Sequence, residues 1–209
     1  EEQLGFFTKY ENSTDTLTRA GACKDAANVT VPRDQILEFS EKLSNFALEV
    51  LLNENYKATL ERLSSKLAGH FSNWQIERFA FVATAVQQNI LPDICRKAAA
   101  APYGFIEIQE HLNKLNLGYL NKYAGKSVGI VIDGICVERA NVTVPHEKAF
   151  AFKEHSDEIA KDESFKAAFE KVDAALGSSF AVAQIKQFAV YIVAEETKRF
   201  HELCQRTAQ

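Results

Sequence analysis

The sequence predicts an all-α protein of two tandem homologous helical units, each with one disulfide. Three observations lead there. The hexapeptide "ANVTVP" occurs at 27–32 and again at 140–145. The four cysteines fall at two matching pairs of positions. Apolar residues recur at helical spacing along most of the chain.

The repeat extends well beyond six letters. At an offset of 113, "LGFFTKY" (4–10) falls on "LGYLNKY" (117–123), Cys23 on Cys136, and 28–32 on 141–145. At an offset of 109, "YKATLERLSSKLAGHF" (56–71) falls on "FKAAFEKVDAALGSSF" (165–180), and Cys95 on Cys204. A four-residue deletion therefore lies between Pro145 and Phe165. Spacing, cysteines and apolar positions agree together, which predicts an internal duplication. Unit 1 takes residues 1–101. Unit 2 takes 102–209 and opens with a junction helix. The boundary falls in "KAAAAP" (97–102).

The elements follow in order. Ile36, Phe39, Leu43, Phe46 and Val50 form one stripe over 33–52. Tyr56, Leu60, Leu63 and Leu67 stand at i, i+4, i+7 and i+11, and Phe165, Phe169, Val172 and Leu176 repeat that spacing. Lys57, Glu61 and Arg62 fall on the opposite face, as an amphipathic helix requires. Ile76, Phe79, Val82 or Ala83, Val86 and Ile90 carry the next stripe, and Pro92 stops or kinks it. Phe105, Ile108, Leu112, Leu115 and Tyr119 make the junction helical. The segment "SVGIVIDGIC" (127–136) is rich in β-branched residues and could be a strand. Its counterpart "TDTLTRAGAC" is not strand-like, and a lone strand leaves its ladder groups unpaired, so helix is expected. The apolar side chains of Val128, Ile130, Val131 and Ile132 then need cover. "HEKAFAFKEHSDEIAK" (146–161) is a shorter, more polar counterpart of 33–52. Ile185, Phe188, Ile192, Phe200 and Leu203 stripe 183–203. Pro32 and Pro145 suit the first turns of the helices they precede, with Asp34 and Glu147 at the positive ends.

Four cysteines allow three pairings. The repeat favours Cys23–Cys95 with Cys136–Cys204, one staple per unit. The exchanged set, Cys23–Cys204 with Cys95–Cys136, also respects it. Each within-unit bridge closes about 70 residues and contributes about 4 kcal/mol in the chain-entropy model. Asn12, Asn28 and Asn141 each begin an N-glycosylation triplet. Asn and Thr ahead of a helix-starting proline would also serve as caps. Methionine is absent, even at position 1. An even cysteine count, the acceptor triplets and a start without Met together predict a processed, secreted, extracellular glycoprotein.

Composition narrows the partners. Net charge is −4, with no block of like charge. A nucleic-acid surface would be basic, so none is expected. No apolar run reaches the roughly 18 residues of a membrane span.

The sequence offers little catalytic chemistry. The histidines, His70, His111, His146, His155 and His201, form no H-E-x-x-H, and His146 and His155 are nine apart, too far for a ligand pair on one helical turn. There is no closely spaced Cys/His cluster, no G-x-S-x-G and no phosphate-loop glycine spacing. Gly118, Gly125, Gly129 and Gly134 read as turn and close-packing positions. No catalytic residue, metal or cofactor is expected, and the chain is read as a non-enzyme.

Fifteen phenylalanines against one tryptophan stand out. They supply bulky core in short helices, or they line a cavity between helices. Two functions follow. The first is an extracellular carrier of a small, lipid-like hydrophobic ligand, with its binding residues unassigned. The second is an extracellular interaction or structural module that binds a macromolecule through its surface.

Overall fold

The computed structural model describes residues 15–209. Among these residues every regular element is helical, and the chain forms two compact units that divide after Gly104.

Unit 1 contains α1 (Asp15–Ala27), α2 (Ile36–Ser44), α3 (Leu48–Leu51), α4 (Glu54–Leu67), α5 (Asn73–Gln87) and α6 (Leu91–Ala100). Helices α4 and α5 pair, α6 packs on α1 and α2, and Cys23 is bonded to Cys95 across α1 and α6. Unit 2 contains α7 (Phe105–Lys114), α8 (Val128–Ala140), α9 (Phe152–Ile159), α10 (Phe165–Leu176), α11 (Val182–Glu196) and α12 (Phe200–Ala208). Here α10 and α11 pair, α12 packs on α8 and α9, and Cys136 is bonded to Cys204 across α8 and α12.

The same local devices start the same helices. Asn53 Oδ1 accepts from the Asn55 amide at 3.0 Å ahead of α4, and Asp162 Oδ1 accepts from the Ser164 amide at 3.0 Å ahead of α10. Asn53 thereby satisfies an amide of the first turn of α4, whereas Asp162 orders the turn at Ser164, the residue just ahead of α10. Helix α5 begins with a capping box: the Ser72 amide donates to Gln75 Oε1 at 3.0 Å.

The cores also correspond. Val50 and Ile159, Ile76 and Ile185, Ala80 and Ala189, and Ile94 and Leu203 are all buried. Between α4 and α5, Phe71 meets Phe79 edge to face with centroids 5.2 Å apart. Between α10 and α11, Phe180 meets Phe188 the same way at 5.1 Å. Thr59 and Ala168 share the buried faces of α4 and α10 with the apolar stripe.

Several sequence expectations are corrected. The stripe over 33–52 is not one helix: a 3-10 turn (Arg33–Gln35) leads into α2, and a turn separates α2 from α3. Pro32 and Pro145 stand just ahead of 3-10 turns, with φ −57° and −56°. Their rings fix φ where the chain must leave an extended segment. Pro92 is in the first turn of α6, where a missing N–H costs no helical bond, so it starts a helix. The stripe over 183–203 is divided between α11 and α12, and the junction ends its α-helix at Lys114 before a 3-10 segment (Gly118–Tyr123).

The ambiguous segment 127–136 is helical, as α8. Gly129 and Gly134 allow it to pack closely. A Cβ at Gly129 would meet the His146 ring at 1.9 Å, and one at Gly134 would meet the Tyr123 ring at 2.5 Å. Ile132 is buried, but Ile130 remains 53% exposed, so the expected cover of that stretch is incomplete.

Candidate functional site

The hexapeptide forms a corner. Asn28 and Asn141 end α1 and α8 in the left-handed conformation, with φ 54° and 53°. Reversing the twist there turns the chain and lets amides reach back to unpaired carbonyls. The Asn28 amide donates to Lys24 O at 3.1 Å, and the Val29 amide to Cys23 O at 3.3 Å. The Asn141 amide donates to Val137 O at 3.1 Å, and the Val142 amide to Cys136 O at 3.2 Å.

In both units, then, the last backbone bond ends on a carbonyl of a disulfide cysteine. The expectation that these asparagines cap the following helix is corrected: they cap the preceding one. Their side chains are exposed, as are Thr30 and Thr143, while all four cysteines are fully buried. Asn12 lies outside the described residues.

In unit 2 the corner is braced further. Asp133 Oδ1 accepts from the Val144 amide at 2.8 Å, and His201 Nδ1 donates to Ala140 O at 3.0 Å. His146 covers Gly129. His70 is exposed, and His111 and His155 are half-buried. Among the described residues no three of His, Cys, Asp and Glu gather closely enough to hold a metal ion.

The phenylalanines expected to form a core or a cavity pack on one another. Besides the two edge-to-face pairs, Phe152 meets Tyr191 at 6.0 Å, Tyr191 stacks with Phe200 at 6.0 Å, and Phe165 meets Phe169 at 6.0 Å. Burial pushes the Tyr191 hydroxyl well above its ordinary proton affinity, with Tyr119 adding to it, and Tyr191 Oη accepts from Gln187 Nε2 at 2.9 Å.

A second aromatic contact joins the 3-10 segment to α8. The Arg139 guanidinium lies 3.8 Å from the Tyr119 ring centre and 3.7 Å from Glu195. Desolvation also raises the Tyr119 hydroxyl, which is buried without a hydrogen-bond partner, as are the Thr84 and Ser179 hydroxyls. Phenols held this high stay neutral and are poor nucleophiles.

A cleft between α9 and α12, bordered by His155, Glu158, Arg199, Glu202 and Arg206, has a volume of about 10 Å³. That holds roughly one water. Arg206 chelates Glu158 there, with one contact at 2.9 Å, and holds its carboxyl below the usual carboxylate range.

Bulky apolar side chains also reach the surface: Leu37, Trp74, Ile106 and Val182 are each more than half exposed. Trp74 is overlain by Arg78, whose guanidinium carbon is 5.3 Å from the ring centre. This i,i+4 pair was available in the sequence from spacing alone. No helix among the described residues is long and apolar enough to cross a membrane. No protein-family model matches the chain, and no curated protein or solved structure shows significant similarity to it.

Proposed function

We propose that the protein is a secreted, non-enzymatic binding protein of two homologous stapled units, and that it engages an extracellular macromolecule through its surface. The carrying observation is the location of its bulky side chains. The phenylalanines that motivated an internal ligand are in contact with one another between the paired helices. Trp74, the one tryptophan, is left 57% exposed beneath an arginine. Tryptophan and arginine are the residue types that most often dominate protein interfaces.

Homology of the units is supported by the recurring helix starts, the recurring edge-to-face contact and the shared bridge positions. Secretion is supported by two buried disulfides, which persist in oxidising compartments.

Native mass spectrometry and organic extraction of protein from its source test the reading, with fluorescent fatty-acid titration alongside. A ligand-free chain that takes up no fatty acid is expected. A co-purifying lipid, or saturable fatty-acid uptake, would overturn the surface reading and restore the carrier. A photo-crosslinking residue in place of Trp74 is expected to form a defined adduct in extracellular fluid from the source. The same residue in place of the exposed Val182 should not.

A further inference from the structure

We infer that Asn28 and Asn141 each carry an N-linked glycan, displayed on the same left-handed corner of each unit. The inference rests on the secreted reading and goes further, because geometry now separates a sugar acceptor from a helix cap.

Left-handed corners occur elsewhere in this chain, and they do not require asparagine. The residues after α5 and α11 are Asn89 (φ 55°) and Lys198 (φ 57°), at equivalent positions 109 apart. There one unit has Asn and the other Lys, and neither is followed two residues later by Ser or Thr. Asn116 (φ 60°) precedes Leu117 and Gly118 and is likewise no acceptor. Among the described residues, the 28 and 141 corners alone hold Asn in both units with Thr at the second position beyond.

Capping explains only part of that pattern. Glycine adopts this backbone at lower steric cost, and asparagine is second to it. A cap uses the Asn backbone and nothing of the threonine. Thr30 and Thr143 are exposed, and neither hydroxyl has a hydrogen-bond partner among the described residues. The Asn28 and Asn141 side chains are likewise exposed, and no hydrogen bond among the described residues engages the amide that a sugar needs. Between them, Val29 and Val142 are half-buried and hold the corner against its unit.

The chemistry is a group transfer. Asn Nδ2 forms a bond to the anomeric carbon of a polyprenyl-diphosphate-linked oligosaccharide. The sugar's C–O bond to the diphosphate breaks, the lipid diphosphate leaves with that electron pair, and one amide proton passes to solvent. Both acceptors precede the cysteine that closes their unit, Cys95 or Cys204, by more than 60 residues. During synthesis each corner is thus exposed as open chain before its staple can form.

The test is site mapping on protein purified from its source. Peptide N-glycosidase in heavy-oxygen water converts each modified asparagine to a labelled aspartate, and reduced and non-reduced digests are compared. Labels at both Asn28 and Asn141 are expected. In a eukaryotic secretory host, Thr30→Ala and Thr143→Ala should each remove one glycan with the unfolding midpoint of the enzymatically deglycosylated protein unchanged. Asn141→Gly should remove the glycan and keep the corner.

Unlabelled asparagines in a chain whose two disulfides are intact would overturn the inference and leave secretion standing. Unlabelled asparagines with free thiols would overturn both. A label at only one corner would also overturn it, because the two corners would then not be equivalent.

Discussion

Unit 1 and unit 2 solve one folding problem with different side chains. A buried bridge joins α1 to α6 in unit 1 and α8 to α12 in unit 2, and each unit sets a salt bridge nearby: Glu49 with Lys97, and Glu158 with Arg206. Between those shared points they diverge. From Pro32 to Asn53, unit 1 uses a 3-10 turn, α2 and α3. From Pro145 to Asp162, unit 2 uses a 3-10 turn (His146–Ala151) and α9, with four residues fewer. Four residues is close to one helical turn of 3.6. The shorter segment therefore still brings Ile159 to the buried face, as the longer one brings Val50. What persists is the set of contacts that determines where each helix starts, stops and is clasped.

The largest test of that comparison removes the clasps. Replacing both cysteines of either bridge with alanine should cost about 4 kcal/mol. The bridges span 72 and 68 residues. Loop entropy therefore separates them by less than about 0.1 kcal/mol. Hydrogen exchange read on α4 and α10 peptides should show equal loss of protection in the respective unit. A severalfold difference would show that one unit does not depend on its staple as the other does.

Core aromatics should sharpen the contrast. Phe188 is 5% exposed, whereas Phe79, in the matching contact, is only half-buried. Phe188→Ala should destabilise by about 3–4 kcal/mol in urea unfolding, and Phe79→Ala by about 2, because part of its ring already faces water. Equal costs would mean that exposure does not rank the two contacts.

How much of this was legible in the sequence follows from the same contrast. The helical stripes of α4 and α10 were readable because a period of 3.6 leaves its mark on any apolar face. Thr59 was missed on that face because composition scores it as polar. Pro92 was misread because a proline both ends one helix and begins another, and only the backbone reversal at Asn89 decides which. The breaks inside 33–52 and 183–203 were hidden because side chains stay in register across a short turn. The corner's asparagines were legible as the first residues of acceptor triplets, but their part in ending α1 and α8 depends on a positive φ that no side-chain pattern announces.

Those corners give the next test. Lys198 adopts a left-handed backbone that a Cβ makes unfavourable, while Asn89 tolerates it better. Lys198→Gly should stabilise by about 0.5–1 kcal/mol, and Asn89→Gly by a few tenths at most. A destabilised Lys198→Gly would show that the lysine side chain makes a contact worth more than the strain.

The smallest effect is the most diagnostic, because it sets Lys97 of one unit against Arg206 of the other at matching salt bridges. Hydrogen bonds from Arg206 hold Glu158 below its ordinary range. That stabilisation is present above the unfolded carboxyl value, near pH 4.3, and fades as pH falls through the lower folded value. Lys97 is displaced the other way: hydrogen bonds to Glu49 and Asp93 raise it. Its contribution is complete below about pH 10.4 and is lost as pH rises through the higher folded value. Arginine stays charged throughout that range. The α3–α6 contact of unit 1 should therefore loosen in alkali where the α9–α12 contact of unit 2 does not, as hydrogen exchange on those peptides would register; the Lys122–Glu138 pair of unit 2, raised in the same way, lies away from α9 and α12. Lys97→Arg should abolish the alkaline loss and Arg206→Lys should create one in unit 2, both diminishing in high salt because the pairs are exposed. If Lys97→Arg leaves the alkaline loss intact, the Lys97–Glu49 salt bridge is not its source.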